Sequence, residues 1–244
     1  MKIAVISDIH ANLEALKTVL KDIEEQKCDK IFCLGDLAMA GPQPVETVDF
    51  IMKQHDWTII QGNTDKLIVD FSQELFQNML NTFPLMAKAL KEDVKILRDD
   101  QKEFLKNLEP QKELEIEGVK ILLVHGSPRR NNEDILPNLP IEQVEEIISG
   151  TDADLILCGH THMPAGYQTR TKQTVINDGS VGRPMTEDLK SCYLILDINN
   201  GSFEAEHRLL DYDREKASKI MRERNFDGAD GIADMLIKPS PRHA

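Results

Sequence analysis

Lys2-Ile3-Ala4-Val5-Ile6-Ser7-Asp8-Ile9-His10 is a near-continuous apolar run that stops on a carboxylate and an imidazole. Its β-branched content and lack of polar alternation predict a strand covered on both faces, as in a parallel sheet. The pattern returns four times: residues 30–34 before Gly35-Asp36, 57–61 before Gly62-Asn63-Thr64-Asp65, 119–124 before His125-Gly126, and 153–158 before Gly159-His160-Thr161-His162. Helical patterns separate the first three runs. Asn12 is placed to cap a helix carrying Leu13, Leu16, Val19, Leu20 and Ile23, and Gly41-Pro42-Gln43-Pro44 turns into a second with Val45, Val48, Ile51 and Met52. This βαβαβ alternation predicts an α/β fold with a parallel sheet and right-handed crossovers. In such a sheet the C-terminal strand ends line one crevice. That crevice would gather Asp8, His10, Asp36, Asn63, His125, His160 and His162. Two carboxylates, four imidazoles and a carboxamide suffice for two metal ions sharing a bridging ligand.

Residues 66–107 break the alternation. Leu67, Ile68, Phe71, Leu75, Phe76, Met79 and Leu80 lead a long helical pattern that Pro84 interrupts. We expect two or three helices there, placed beside the site, where they either shape substrate access or simply pack over the sheet. Phe71, Phe76 and Phe83 could serve a substrate lid or a homo-oligomer interface. From residue 111 the chain is strand-rich: a hairpin over 113–124, a polar loop over 127–140, a short helix over 141–148, and strands at 174–177, 191–197 and 202–208. Residues 213–237 read as a C-terminal helical segment and 238–244 as a frayed tail. A single domain over 1–244 is expected.

Forty-two acidic against 29 basic residues leave a net charge of −13. This argues against binding along a nucleic-acid backbone, which needs basic surface. It does not exclude a small phosphorylated substrate, because bound divalent metals would invert the field locally. The N-terminal MKIAVISDIHAN is too short for a signal segment, and no stretch approaches the roughly 20 apolar residues of a membrane span. Cys28, Cys33, Cys158 and Cys192 show no CxxC pairing, so free thiols in a reducing, cytoplasmic compartment are expected.

Singly, each motif is weak; five in a fixed order at strand ends are not. Asp8-Ile9-His10, Gly35-Asp36, Gly62-Asn63, Val124-His125-Gly126 and Gly159-His160-Thr161-His162 resemble the blocks of the calcineurin-like metallophosphoesterases, in order. The stretches 35–42 and 177–184 further resemble a compact bacterial and archaeal branch with phosphodiesterase members. The resemblance implies a four-layer α/β/β/α sandwich with a dinuclear metal site at the C-terminal strand ends. It implies that Asp8, His10 and His162 hold one ion, that Asn63, His125 and His160 hold the other, and that Asp36 bridges them. A mixed oxygen and nitrogen donor set suits Mn, Fe, Zn, Ni or Co rather than calcium. A hydroxide shared by the ions would then attack phosphorus in line. His55, His207 and His243 lie outside the blocks and read as structural.

One departure bears on the chemistry. The family's third block usually reads Gly-Asn-His-Asp/Glu, and its histidine is the favoured proton donor to the leaving group. Here Thr64 takes that place. A hydroxyl is a poor general acid, and losing such help lowers rates by ~10²–10⁴. Substrates with good leaving groups, or a donor from elsewhere, are therefore expected. Asp65 would orient Asn63 or a water at the metals, and Asn12, Ser127 and Arg183 are candidates for phosphate contacts. The leading function is a metal-dependent phosphoesterase (a hydrolase) acting on phosphodiesters or phosphorylated small molecules. The alternatives are a metal-dependent nuclease, disfavoured by the acidic balance and the 5% aromatic content, and a non-catalytic scaffold, which would have lost ligands.

Overall fold

A computed structural model describes residues 1–239. In chain order the elements are β1 (Lys2–Ile6), α1 (Leu13–Glu25), β2 (Lys30–Cys33), α2 (Pro44–Ile51), β3 (Thr58–Ile59), α3 (Asn63–Val69), α4 (Gln73–Thr82), α5 (Pro84–Ile96), α6 (Asp99–Lys106), β4 (Gln111–Ile116) and β5 (Val119–Val124). There follow α7 (Ile141–Ile148), β6 (Leu155–Cys158), β7 (Ala165–Gln168), β8 (Thr174–Asn177), β9 (Ser191–Asn199), β10 (Ser202–Leu210), α8 (Arg214–Glu223) and α9 (Ala229–Met235). They form two five-stranded sheets, ordered β10-β9-β1-β2-β3 and β4-β5-β6-β8-β7. In the first, β1, β2 and β3 run parallel; in the second, β5, β6 and β8 do.

Side chains alternate across a strand, and that period sorts the core into layers. Ile3 and Val5 of β1 and Phe32 of β2 face the second sheet, where they meet Ile121, Leu123, Leu155 and Leu157. Ala4, Ile6 and Cys33 point the other way and pack with Leu16 and Val19 of α1 and Val48 and Ile51 of α2. On the far face of the second sheet, Leu122, Val124 and Ile156 pack against Val144, Ile147 and Ile148 of α7. The result is the α/β/β/α sandwich. Strands buried on both faces carry no polar alternation, which is why the runs were legible.

Several expectations need correction. Residues 66–107 hold parts of four helices rather than two or three, and the first begins at Asn63. Pro84 opens α5 at its first helical position, where a missing N–H is harmless. The third strand pairs only over Thr58–Ile59, with Ile60 bridging Glu109. Strand β7, Ala165–Gln168, was not foreseen: four residues including Gly166 carry too little pattern to read. The two last strands run on to Asn199 and Leu210. The tail expected over 238–244 lies, from residue 240, outside the described residues, as does His243.

The helical excursion reaches the crevice through a buried pair. Asp93 of α5 accepts the Ala40 amide at 2.8 Å and pairs with Arg224 at 2.6 Å, and Arg224 also donates to Gly41 O at 2.7 Å. These contacts fix the loop between β2 and α2 that faces His10.

Candidate metal centre

All seven expected donors sit past the C-terminal ends of β1, β2, β3, β5 and β6, at one rim of the sandwich. Three of the four imidazoles share an arrangement. His10 Nδ1 donates to Met39 O at 3.0 Å, His125 Nδ1 to Leu34 O at 2.7 Å, and His162 Nδ1 to Arg183 O at 2.6 Å. A carbonyl can only accept, so each ring carries its proton on Nδ1 and turns Nε2 inward. His10 Nε2 and His162 Nε2 then lie 3.1 Å apart, and Asp8 Oδ1 is 3.1 Å from the latter. Lone pairs facing one another at that distance repel unless a proton or cation joins them.

Asp8 makes the point more directly. Its Oδ2 accepts from Ser7 Oγ at 2.6 Å and from the His160 amide at 2.9 Å, whereas its buried Oδ1 has no hydrogen-bond partner. An orphaned carboxylate oxygen in a dry site is expensive unless it ligates something. Asp8, His10, Asp36 and His162 each offer one donor atom within 4.8 Å of the others. That donor set fits a divalent transition metal.

Asp36 joins this group to a second. Its Oδ2 is 3.5 Å from His10 Nε2 and its Oδ1 is 3.4 Å from His125 Nε2. His125 Nε2 is also 2.9 Å from Asn63 Oδ1, and the His125 and His160 rings are 5.2 Å apart. One oxygen of Asp36 thus serves each half of the cluster.

The electrostatics match. Burial would raise Asp8 and Asp36, but the surrounding imidazoles, chiefly His162 and His125, hold both carboxyls well below the usual range. Burial opposes charge on His125, yet Asp36 pushes it up to about 10. Burial and His162 pull His10 down to about 4. Two fixed anions in a buried setting call for positive charge between them. Behind Asp8, burial and the Asp8 charge raise Asp178 well above its ordinary value. Ser7 Oγ lies 2.6 Å from Asp8 Oδ2 and 2.7 Å from Asp178 Oδ1, so its hydroxyl is the donor between the two carboxyls.

The backbone that aims these groups is strained. Asp8, His10, Asp36, His160 and His162 all have positive φ, between 44° and 66°. Non-glycine residues rarely adopt that region, and such residues cluster at functional sites. The turns also press together: a Cβ on Gly62 would lie 2.1 Å from Asp36 Oδ1. Only glycine admits that approach.

Asp65 has a different place from the one expected. Its buried carboxylate accepts the amides of Asp36 (2.8 Å), Leu37 (2.9 Å) and Gly62 (3.0 Å), so it holds the Asp36 turn instead of orienting Asn63 or a water. Burial, then Asp36, raises it to about 6. Asn12 also differs. It is fully buried, its Oδ1 caps α1 through the Ala15 amide, and its Nδ2 donates to Gly182 O and Tyr212 Oη. No atom is left for a phosphate. Ser127 is likewise committed, to Glu133 and to the amides of Arg129 and Arg130. Arg183 lies close enough for its charge to act on His10, with guanidinium nitrogens 3.2 Å from Met86 Sδ and 3.4 Å from Met235 Sδ. Asp134 was missed; its Oδ1 is 3.2 Å from His160 Nε2, and no motif marks it in the polar loop. His207 Nε2 donates to Asn177 O at 2.7 Å. The four cysteines are free. Among the described residues, no helix is long and apolar enough to cross a membrane.

Two layered sheets with Asp and His donors at their shared rim define the fold of the metallophosphoesterases. The sequence model of the calcineurin-like phosphoesterase superfamily domain matches residues 1–201, and the chain belongs to that superfamily. An uncharacterized protein of Methanocaldococcus jannaschii is 32% identical over 237 residues, covering 91% of this chain and 93% of that one. A metallophosphoesterase from Sphaerobacter thermophilus has the same fold, with a TM-score of 0.79, 23% identity, and coverage of 98% of this chain and 100% of that one. So does a hypothetical protein from Pyrococcus horikoshii, with a TM-score of 0.89, 22% identity, and coverage of 98% and 99%.

Proposed function

We propose that the chain is a dinuclear metal-dependent phosphoesterase that hydrolyses phosphodiesters or phosphorylated small molecules. The observation that carries this reading is Asp36, whose two oxygens lie 3.5 Å and 3.4 Å from imidazoles on opposite sides, His10 and His125. Asp8, His10 and His162 would hold one ion, Asn63, His125 and His160 the other, and Asp36 both. Two such ions would polarise a water for attack on phosphorus and neutralise the phosphate charge. The chain's own groups do the rest. The carbonyls of Met39, Leu34 and Arg183 fix the ring tautomers, and Asp65 fixes the Asp36 turn. Arg183, propped on two thioethers beside His10, is placed to receive a phosphate oxygen. Three buried free thiols support a cytoplasmic location.

The test reloads chelated protein separately with Mn, Ni, Zn, Co and Mg. Metal content and the hydrolysis of a chromogenic phosphodiester and phosphomonoester are read in the same samples. Two ions per chain with metal-dependent turnover are expected. Asp36→Asn should lower turnover by ~10² or more, since it removes a bridging charge from the site. Failure to bind metal would overturn the reading.

A further inference from the structure

Beside the rim lies a cleft whose charge opposes that of the whole chain. The protein carries −13, yet a 490 Å³ cavity is lined by Lys66, Lys106, Arg129 and Arg130 with no carboxylate among its lining residues. Its size falls within the roughly 300–1,000 Å³ of small-molecule sites. Lys66 and Asn131 also line an adjoining cavity that reaches Asn63, so the cleft opens onto the candidate metal donors.

The cationic wall is built into the site. A Cβ on Gly126, the residue after His125, would lie 2.8 Å from Arg130 O and Asn131 O. The loop bearing Arg129, Arg130 and Asn131 is therefore mounted directly on the turn that aims His125. Ser127 ties that loop, its amide donating to Arg130 O at 2.9 Å and its Oγ accepting the Arg129 and Arg130 amides. Glu133 pairs with both guanidiniums, and Glu146 lies 3.7 Å from that of Arg129. Lys66 pairs with Asp70 at 2.7 Å and Lys106 with Glu103 at 3.6 Å. Exposed pairs of that kind are worth little and yield readily to a stronger anion. Lys106 enters from the end of α6, on the opposite side.

Resting on the phosphoesterase reading, we infer that the substrate carries a second phosphate, which lies in this cleft while the scissile phosphate sits at the metals. The ligand class is a small molecule with at least two phosphates. Arg130 and Lys106 read the second one, and Lys66 and Asn131 line the path between. An uncharged group at that position would leave the cations with only their weak surface pairs, whereas a phosphate adds charge-assisted hydrogen bonds.

The test has two arms. Metal-free protein at about 0.15 M ionic strength, where long-range attraction is screened, is titrated calorimetrically with tripolyphosphate and with orthophosphate. We expect tripolyphosphate to bind about tenfold more tightly, a preference lost in Lys106→Glu/Arg130→Glu and kept in Lys106→Arg/Arg130→Lys. Equal binding of the two anions by the wild type, or an unchanged preference after charge reversal, would overturn the inference. So would a single-stranded oligonucleotide that binds more tightly than tripolyphosphate, which would assign the cleft to nucleic acid. In the second arm, metal-loaded protein is given the p-nitrophenyl ester of a nucleoside monophosphate with and without a further phosphate on its sugar. The ratio of kcat/KM values should favour the doubly phosphorylated ester by about tenfold and fall to about one on charge reversal. If neither ester is cleaved, the catalytic reading fails, and the metal-free titration still decides the cleft.

Discussion

Thr64 stands where its superfamily usually has an imidazole, and its buried hydroxyl has no hydrogen-bond partner. A side chain held at the site but bonded to nothing gives little to a departing alkoxide. Thr64→His should therefore raise turnover of poor-leaving-group esters by ~10² while leaving p-nitrophenyl esters nearly unchanged, the contrast a general acid produces. Equal effects on both ester classes, or none, would remove the missing-acid account. Asp65 makes a second case. Removing its carboxylate strands the Asp36, Leu37 and Gly62 amides in a dry interior. Asp65→Ala should cost about 2–4 kcal/mol in thermal unfolding and weaken metal binding, because the Asp36 turn loses its tether. The gathering of the seven candidate donors at one rim was legible in the sequence because each is local: a metal-capable residue directly after an apolar run. Asn12 was legible as the cap of α1, but its other contacts and the place of Asp65 were not, because what occupies them is remote. Gly182 and Tyr212 meet Asn12 from the far end of the chain, and the Asp36 and Leu37 amides on Asp65 come from a different turn. Asp134 reaches His160 from a loop whose conformation no local pattern specifies.

At the scale of elements, long runs with a clear period were readable and short ones were not. The run at β1 and the stripe of α1 declared themselves, whereas two-residue β3 exists only because β2 and the Ile60–Glu109 bridge hold it. The start of α3 at Asn63 was hidden as well, since Gly62 caps it only with the help of Asp65 three residues on. The loop between β5 and α7 is an element in its own right, organised by Glu133. Hydrogen bonding to Arg129, against the opposing pull of burial, lowers that carboxyl to about 2. A depressed carboxylate contributes stability that is fully present above its ordinary 4.5 and is lost as pH falls through about 2. Amide exchange at Arg129 and Arg130 should thus be faster in Glu133→Gln than in the wild type near neutral pH. The two proteins should converge as the pH falls below about 2. A gap that persists in acid would mean that Glu133 acts through something other than its charge.

For the molecule as a whole, the candidate metal donors come from both sheets: β1, β2 and β3 on one side, β5 and β6 on the other. Ions bound there would join the two layers, and anything that binds only the folded chain adds to its stability by mass action. Loading to ~100 times the dissociation constant should add about 2.7 kcal/mol per independent site, seen as a higher Tm that falls on chelation. An unchanged Tm would mean that the layers hold together without the ions and that the donors bind them weakly.

The left-handed backbone at Asp8, His10, Asp36, His160 and His162 also bears on how the chain can change over time. Each of these residues sits about 1–2 kcal/mol above what glycine would need in the same conformation. A selection for thermal tolerance of the metal-free chain, to which ions add nothing, would favour glycine wherever this relief exceeds the side chain's lost hydrogen bonds, and would dismantle the rim while improving the fold. The variants such a screen enriches should be inert, and their map would trace the candidate metal centre without any assay of chemistry.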